Sequence, residues 1–193
     1  MKNLLLLVAF LFSFSVFAQR SPITPNIRKL KNDTIIWKPD SLLRKEDFKA
    51  RPRSKNGPLG LSAIGLLLYP GESGGQLLFY VEALFVKSKS YLVEFSVYVL
   101  RHEQIHFDIS EVYARILRKR IAETNFKKVR NATAEINKLY EKTSAELFRE
   151  ETKYDNDTQH GINSAKQKVW EEDIARRLKE LDAYKELSVN IAQ

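Results

Sequence analysis

The chain has 193 residues, contains no cysteine and carries a formal net charge of +8, with 32 lysine and arginine residues against 24 acidic ones. The absence of cysteine excludes disulfides, thiolate nucleophiles and thiolate metal ligands, so a bound metal ion must be held by His, Asp or Glu. The basic residues stand beside acidic ones along predicted helices, which indicates a solvated surface and no nucleic acid partner.

The first eighteen residues predict a secretory signal peptide (1–18). Lys2 supplies the positive charge, residues 4–14 form a short apolar run, and Val16 and Ala18 place small side chains at the minus-three and minus-one positions of a cleavage site. An uncleaved anchor is the alternative, although this run is short for a bilayer and no later segment is apolar enough to span one. We therefore expect an exported protein, periplasmic or secreted, without stable membrane insertion.

The mature chain predicts one domain with strands before helices. Residues 19–58 read as an N-terminal lead-in that contains a short strand at 34–37 and a helical turn after Ser41. Residues 59–193 are the predicted core of the domain, and residues 34–58 are expected to pack on it within the same domain.

Two apolar runs in this core predict a β-hairpin. They cover residues 61–69 and 77–86 and are joined by a Pro/Gly-rich segment at 70–75, which predicts a long loop. Three-and-four-residue apolar spacing then predicts three helices, at 95–123, 126–152 and 162–188. A small antiparallel sheet followed by three helices is typical of the α+β class.

The first predicted helix carries His102-Glu103-Gln104-Ile105-His106. Histidines four residues apart lie about 40° apart on a helix, so both imidazoles can reach one metal ion. Glu103 lies about 100° from His102, where it can accept a proton from an attacking water without being a ligand. Two ordinary half-buried histidines are the alternative, but they would need other polar partners. The pattern predicts a zincin-like helix with Zn²⁺ as cofactor and Glu103 as the catalytic base.

A catalytic zinc ion usually has three protein ligands, so a further ligand is expected elsewhere. The metzincin spacing is excluded, because Ile109 and Val112 stand where that class has Gly and His. Glu123 and Glu135 are the nearest glutamates towards the next helix, and both fit an exposed helix face at least as well.

Residues 153–161 predict a polar turn between the second and third helices that is dense in potential ligands. His160 is the favoured third metal ligand, because all three histidines would then meet, and Asp155 and Asp157 are the carboxylate alternatives. Asp155 could instead accept a hydrogen bond from a ligand imidazole or cap the turn. Tyr154 could stabilise the transition state as a phenol donor or simply pack in the core.

The sequence around these residues resembles a family of uncharacterised bacterial proteins predicted to be secreted zinc-dependent proteases. The resemblance rests on residues 100–109, on Tyr113-Ala114-Arg115, on the spacing of Tyr154, Asp155, Thr158, His160 and Gly161, on Gln167 and Trp170, and more weakly on Trp37 and Asp47-Phe48-Lys49. Ile105 departs from the small residue expected at its position. The resemblance implies a zinc ion and peptidase activity.

Together these features predict an exported zinc metallopeptidase that hydrolyses a peptide or protein substrate. One alternative is a zinc-binding envelope module without catalysis, and another is a zinc hydrolase of non-peptide amides. A third is a non-enzymatic helical protein that attaches to a membrane through its basic helices. Metal content and turnover would separate these four hypotheses.

Overall fold

The computed structural model describes residues 32–40, 42–52, 58–74 and 76–191. The predicted signal peptide and the start of the lead-in lie outside the described residues. Within the described chain the architecture is α+β, as predicted, with antiparallel strands followed by three long helices.

The described strands form one sheet of four strands and one ribbon of two. They are β1 (Thr34–Ile36), β2 (Gly60–Leu61), β3 (Ile64–Ser73), β4 (Gln76–Val86), β5 (Tyr91–Leu92) and β6 (Ser188–Asn190). In the sheet, β4 pairs with β3 on one side and with β1 and β6 on the other, all antiparallel. The ribbon pairs β2 with β5. The short strand predicted at 34–37 is therefore confirmed as β1, whereas β6 was not predicted.

The predicted hairpin is present, but the prediction of a long loop was wrong. β3 and β4 stay paired from Ile64 opposite Phe85 to Ser73 opposite Gln76, so the connection is only residues 74–75. Proline is tolerated in β3 because this strand lies at the edge of the described sheet, where a missing N–H interrupts no ladder. The Pro/Gly content of residues 70–75 therefore did not mark a loop.

The described long helices are α1 (Val97–Glu123), α2 (Ala132–Thr158) and α3 (Ser164–Glu180). Each begins after a residue whose side chain accepts a hydrogen bond from a first-turn backbone N–H, namely Ser96, Asn131 and Asn163. Such N-caps satisfy donors that the helix itself leaves unpaired.

The second predicted helix was placed six residues too early. The start predicted at Phe126 is a short 3-10 turn, and α2 begins only after the Asn131 cap. At its other end α2 continues to Thr158, so most of the predicted turn at 153–161 is helical. The third predicted helix was too long, because α3 ends at Glu180 and the chain then enters β6.

The central helix α1 contacts the sheet and both other helices. Its completely buried apolar residues are Phe107, Ile109, Val112, Ala114 and Leu117. Phe107 packs on Phe85 of β4 with ring centroids 6.0 Å apart. Burial of each large apolar side chain contributes roughly 1.5–3 kcal/mol, which fixes the rotation of α1 about its axis. This rotation decides where His102 and His106 point.

A buried ion pair ties the C-terminal segment to α1. The Arg118 guanidinium, which is 1% exposed, pairs with Glu111 at 3.0 Å. Its remaining N–H groups donate to the carbonyls of Val81 in β4 and Tyr184 after α3, both at 2.9 Å. Each nitrogen of Arg118 and both carboxylate oxygens of Glu111 have a partner, and these hydrogen bonds offset the desolvation cost of burying the pair.

The segment after β1 is tied to α1 through two residues of the metal motif region. The Trp37 indole donates to Asp108 at 2.8 Å, and the Leu43 backbone N–H donates to Gln104 at 2.8 Å. Gln104 also donates to Asp108 at 2.9 Å. These contacts hold part of the lead-in against the side of α1 opposite the histidines.

None of the described helices has both the length and the apolar character needed to cross a bilayer.

Candidate metal centre

Helix α1 presents His102 and His106 side by side, as their four-residue spacing predicts. Their imidazole centroids are 4.9 Å apart, and only 3% of His102 and 7% of His106 is exposed. Imidazoles buried this deeply need polar partners or a metal ion. The partners come from α2.

Asp155 of α2 lies opposite the two histidines. Its Oδ1 is 3.3 Å from His102 Nε2 and 3.1 Å from His106 Nε2, and the three candidate ligand atoms all lie within 4.8 Å of one another. Neighbouring ligands of a tetrahedral zinc ion with bonds near 2 Å are separated by roughly 3–4 Å. The spacing and the two-nitrogen, one-oxygen donor set therefore fit one metal ion with three protein ligands.

Glu151 is a site residue that the sequence analysis missed. It lies one helical turn before Asp155 on α2, and its Oε2 is 2.8 Å from His106 Nδ1. At this distance the ring N–H donates to the carboxylate, which leaves Nε2 of His106 directed at the shared point. Carboxylates commonly orient metal-ligating histidines in this way. The available signal was the four-residue spacing of Glu151 and Asp155, which becomes meaningful only once both lie on a helix.

The electrostatics of the cluster favour a cation. Burial works against the charged form of His106, but the neighbouring Glu151 and Asp155 carboxylates outweigh it and hold its pKa well above the ordinary value. Burial also raises the pKa of Asp155, yet hydrogen bonds from His102 and His106 outweigh that effect and lower it. Burial raises the pKa of Glu151. Two carboxylates, Asp155 at the shared point and Glu151 on the Nδ1 side of His106, thus favour a positive charge in the cluster.

Glu103 lines the same cavity, beside the two histidines. The cavity measures about 170 Å³ and is also lined by Ser62, Asp155 and His160. Glu103 is 2% exposed, and its Oε2 has no hydrogen-bond partner among the described residues. Burial raises the pKa of the Glu103 carboxyl, with His106 and His102 acting in the opposite direction. A carboxyl with a free oxygen and a raised pKa is suited to accept a proton.

His160 lies next to the cluster but outside the group of mutually close ligand atoms. Its Nδ1 is 3.4 Å from Asp155 Oδ1, and 55% of its side chain is exposed at the cavity. The turn after α2 places it there, with Gln159, His160 and Gly161 all at positive φ. The structure therefore brings Asp155 to the two buried histidines and leaves His160 at the rim. That His160 is a ligand stays a prediction.

Tyr154 packs against the two histidines of the candidate metal centre. It is completely buried, its ring stacks on His102 with centroids 4.7 Å apart, and its hydroxyl donates to the His102 carbonyl at 3.3 Å. Gly161 also lies close to His102, since a Cβ added to it would be 3.2 Å from the imidazole Cγ. His102 is thus packed against both Tyr154 and Gly161. This placement directs the phenol at the helix backbone and does not support the predicted transition-state role.

The other carboxylates considered from the sequence lie elsewhere. Asp157 accepts a hydrogen bond from the Trp170 indole at 3.1 Å. Glu123 accepts one from the Tyr184 hydroxyl at 3.2 Å, and Glu135 lies 3.9 Å from Lys138. None of the three belongs to the described cluster of candidate ligands.

Replacing Glu151 with glutamine is expected to weaken zinc binding by about 10- to 100-fold, because the neutral amide orients His106 less strongly and removes a nearby negative charge. Competition with a chromophoric chelator measures the affinity. Glu141→Gln, an exposed position on the same helix, is the matched control and should bind zinc as the wild type does. Equal affinities for the two variants would contradict the orienting role of Glu151.

The fold and this cluster define the class: an α+β protein with a buried His102, His106 and Asp155 group that could hold a metal ion. A family model described as a bacterial protein of unknown function (DUF922) matches residues 88–161. The match contains α1 and α2 entirely and therefore every residue of the cluster. The chain matches no curated protein and no solved structure. The geometry of the centre must therefore carry the functional argument.

Proposed function

We propose that this protein is an exported zinc-dependent metallopeptidase. The observation that carries the proposal is the meeting of His102 Nε2, His106 Nε2 and Asp155 Oδ1 beside Glu103, which lines the same cavity and whose Oε2 has no hydrogen-bond partner among the described residues. Three protein ligands and an adjacent acid–base group are the minimal set of a hydrolytic zinc site. The predicted signal peptide and the family resemblance support export and peptide substrates.

Zinc suits this donor set better than a hard cation does, because imidazole is a poor ligand for Mg²⁺ or Ca²⁺. A bound zinc ion supplies a Lewis acid that polarises a carbonyl and lowers the pKa of water towards about 7. His102 and His106 would hold the ion through Nε2, and Asp155 would hold it through Oδ1. Glu151 keeps the proton of His106 on Nδ1, so that Nε2 remains a lone-pair donor.

Glu103 performs the proton transfers in this proposal. Its carboxylate accepts the proton of the attacking water at Oε2, the oxygen without another partner, and the carboxylic acid then returns the proton to the leaving amine. Burial raises the pKa of Glu103 and so brings it closer to the pKa at which a general base is efficient near neutral pH. Exclusion of bulk water from this buried carboxyl also strengthens its interaction with the reacting atoms.

The experiment that tests the proposal measures metal content and metal-dependent hydrolysis on the mature protein. We expect about one zinc per chain, hydrolysis of denatured casein or of a peptide library, loss of turnover after treatment with a chelator, and recovery when zinc is returned. Purified protein without bound zinc and without affinity for it would contradict the proposal. Turnover confined to non-peptide amides would confirm the hydrolase but change its substrate class.

A second candidate function is a zinc-binding envelope module without catalysis. One observation favours it: the described residues that line the cavity include no arginine, lysine or tyrosine to stabilise an oxyanion. His160, at the rim, is the described imidazole that could take this role. Stoichiometric zinc with no turnover of any peptide would favour the module over the peptidase.

A further inference from the structure

Gly60, in β2, lies directly against the side chain of Glu103. It is buried, and a Cβ built on it would be 2.3 Å from Glu103 Oε1 and 2.9 Å from Glu103 Cδ. Ordinary van der Waals contacts of a Cβ begin near 3.4 Å. The carboxylate of Glu103 therefore occupies the space that any other residue at position 60 would fill.

The backbone of Gly60 does not itself call for glycine. The described glycines with positive φ are Gly74 and Gly161, whereas Gly60 lies in a paired strand. Glycine weakens the interior of a strand, and a glycine found there often marks the close approach of another group. Here the approaching group is the carboxylate assigned to proton transfer.

The strand cannot withdraw freely from Glu103. On one side β2 pairs with β5, and the Val93 backbone N–H donates to the Leu59 carbonyl at 2.7 Å. On the other side the buried Ser62 hydroxyl donates to the main-chain carbonyl of Glu103 at 3.3 Å. Because β2 is held from both sides, a side chain added at Gly60 would displace the flexible end of Glu103 more easily than the strand.

We infer that Gly60 is a positioning residue for Glu103. By lacking a side chain, it lets the carboxylate lie against β2 with Oε1 towards the strand, which leaves Oε2, the oxygen without a partner, to accept the proton of the attacking water. The inference rests on the proposed function, in which Glu103 transfers the proton. In this inference Gly60 influences the proton transfer by Glu103 although it lies outside the matched segment 88–161.

The first test compares Gly60→Ala with Gly71→Ala in zinc-loaded protein. Gly71, in β3, is a matched control, since a Cβ there would lie 2.4 Å from Tyr80 Cε2, which gives a clash of the same size in another strand. We expect Gly60→Ala to lower kcat by about 100-fold, the effect of misplacing a catalytic group by about 1 Å. KM should change less than about threefold and zinc content not at all, while Gly71→Ala should keep the wild-type kcat.

The second test needs no activity. The Tm of zinc-free protein is measured for Gly60→Ala, Glu103→Ala and the double variant. Gly60→Ala should lower Tm by at least about 2–4 °C in the wild-type background and have no such effect when the Glu103 carboxylate is absent, because the two positions are in direct contact.

A Tm loss of the same size in both backgrounds, or a wild-type kcat in Gly60→Ala, would overturn the inference. If the wild-type protein with zinc hydrolyses no substrate, the proposed function fails, and the Tm cycle alone decides whether Gly60 positions Glu103. Loss of turnover in Glu103→Gln with none in Gly60→Ala would leave the proposed function intact and remove only the positioning role.

Discussion

Replacing Glu103 with glutamine should lower kcat for peptide hydrolysis by about 10²- to 10⁴-fold while zinc binding persists. Glutamine keeps the size of the side chain but cannot accept the proton of the attacking water, and general acid–base catalysis contributes about this factor. Glu103 is buried, and its Oε2 has no hydrogen-bond partner among the described residues. No other described carboxylate of α1 lines the same cavity. Steady-state kinetics on a fluorogenic peptide and zinc analysis of the same sample measure the two effects.

The matched control is Glu123→Gln, at the exposed C-terminal end of the same helix. It should leave both kcat and zinc content at the wild-type values, since its side chain lies several turns from the cavity. Loss of zinc in Glu103→Gln would make this carboxylate a ligand. Unchanged turnover in a zinc-loaded Glu103→Gln protein would contradict its role as the base.

Removing Asp155 should weaken zinc binding far more than removing His160. We expect Asp155→Ala to lose at least about 100-fold in affinity, beyond the 10- to 100-fold range of groups that only orient a ligand. His160→Ala should lose less than about tenfold, because its ring lies at the rim and outside the group formed by Asp155 and the two buried histidines. Chelator competition measures each affinity.

Asp157→Asn is the control for a nearby acidic residue, since Asp157 contacts the Trp170 indole and should bind zinc as the wild type does. An equal loss in the Asp155 and His160 variants would show that both residues are ligands. A larger loss in His160→Ala would restore the ligand favoured from the sequence and assign Asp155 to orienting His160, with which it is in contact.

The two helices of the centre differ in how far the sequence could predict them. The spacing of His102 and His106 indicates a shared helix face without knowledge of the fold, because the helical period is a local property. The end of α2 was missed, since residues 153–159 look like a polar turn. In the structure the polar Lys153 and Asn156 face solvent, while Tyr154 and Thr158 are buried on the side towards α1. This segment has few buried positions, and its exposed polar residues give it the composition of a turn.

By itself the sequence determined that any metal ion bound by this protein must be held without thiolates, that two histidines share a helix face with Glu103 beside them, and that most strands precede three helices. Only the tertiary structure decided which residues complete the centre. Asp155, Glu151 and Gly60 reach the histidines and Glu103 through contacts between segments more than forty residues apart, set by which faces of α1, α2 and β2 are buried together. Local propensity and spacing carry no information on such long-range packing.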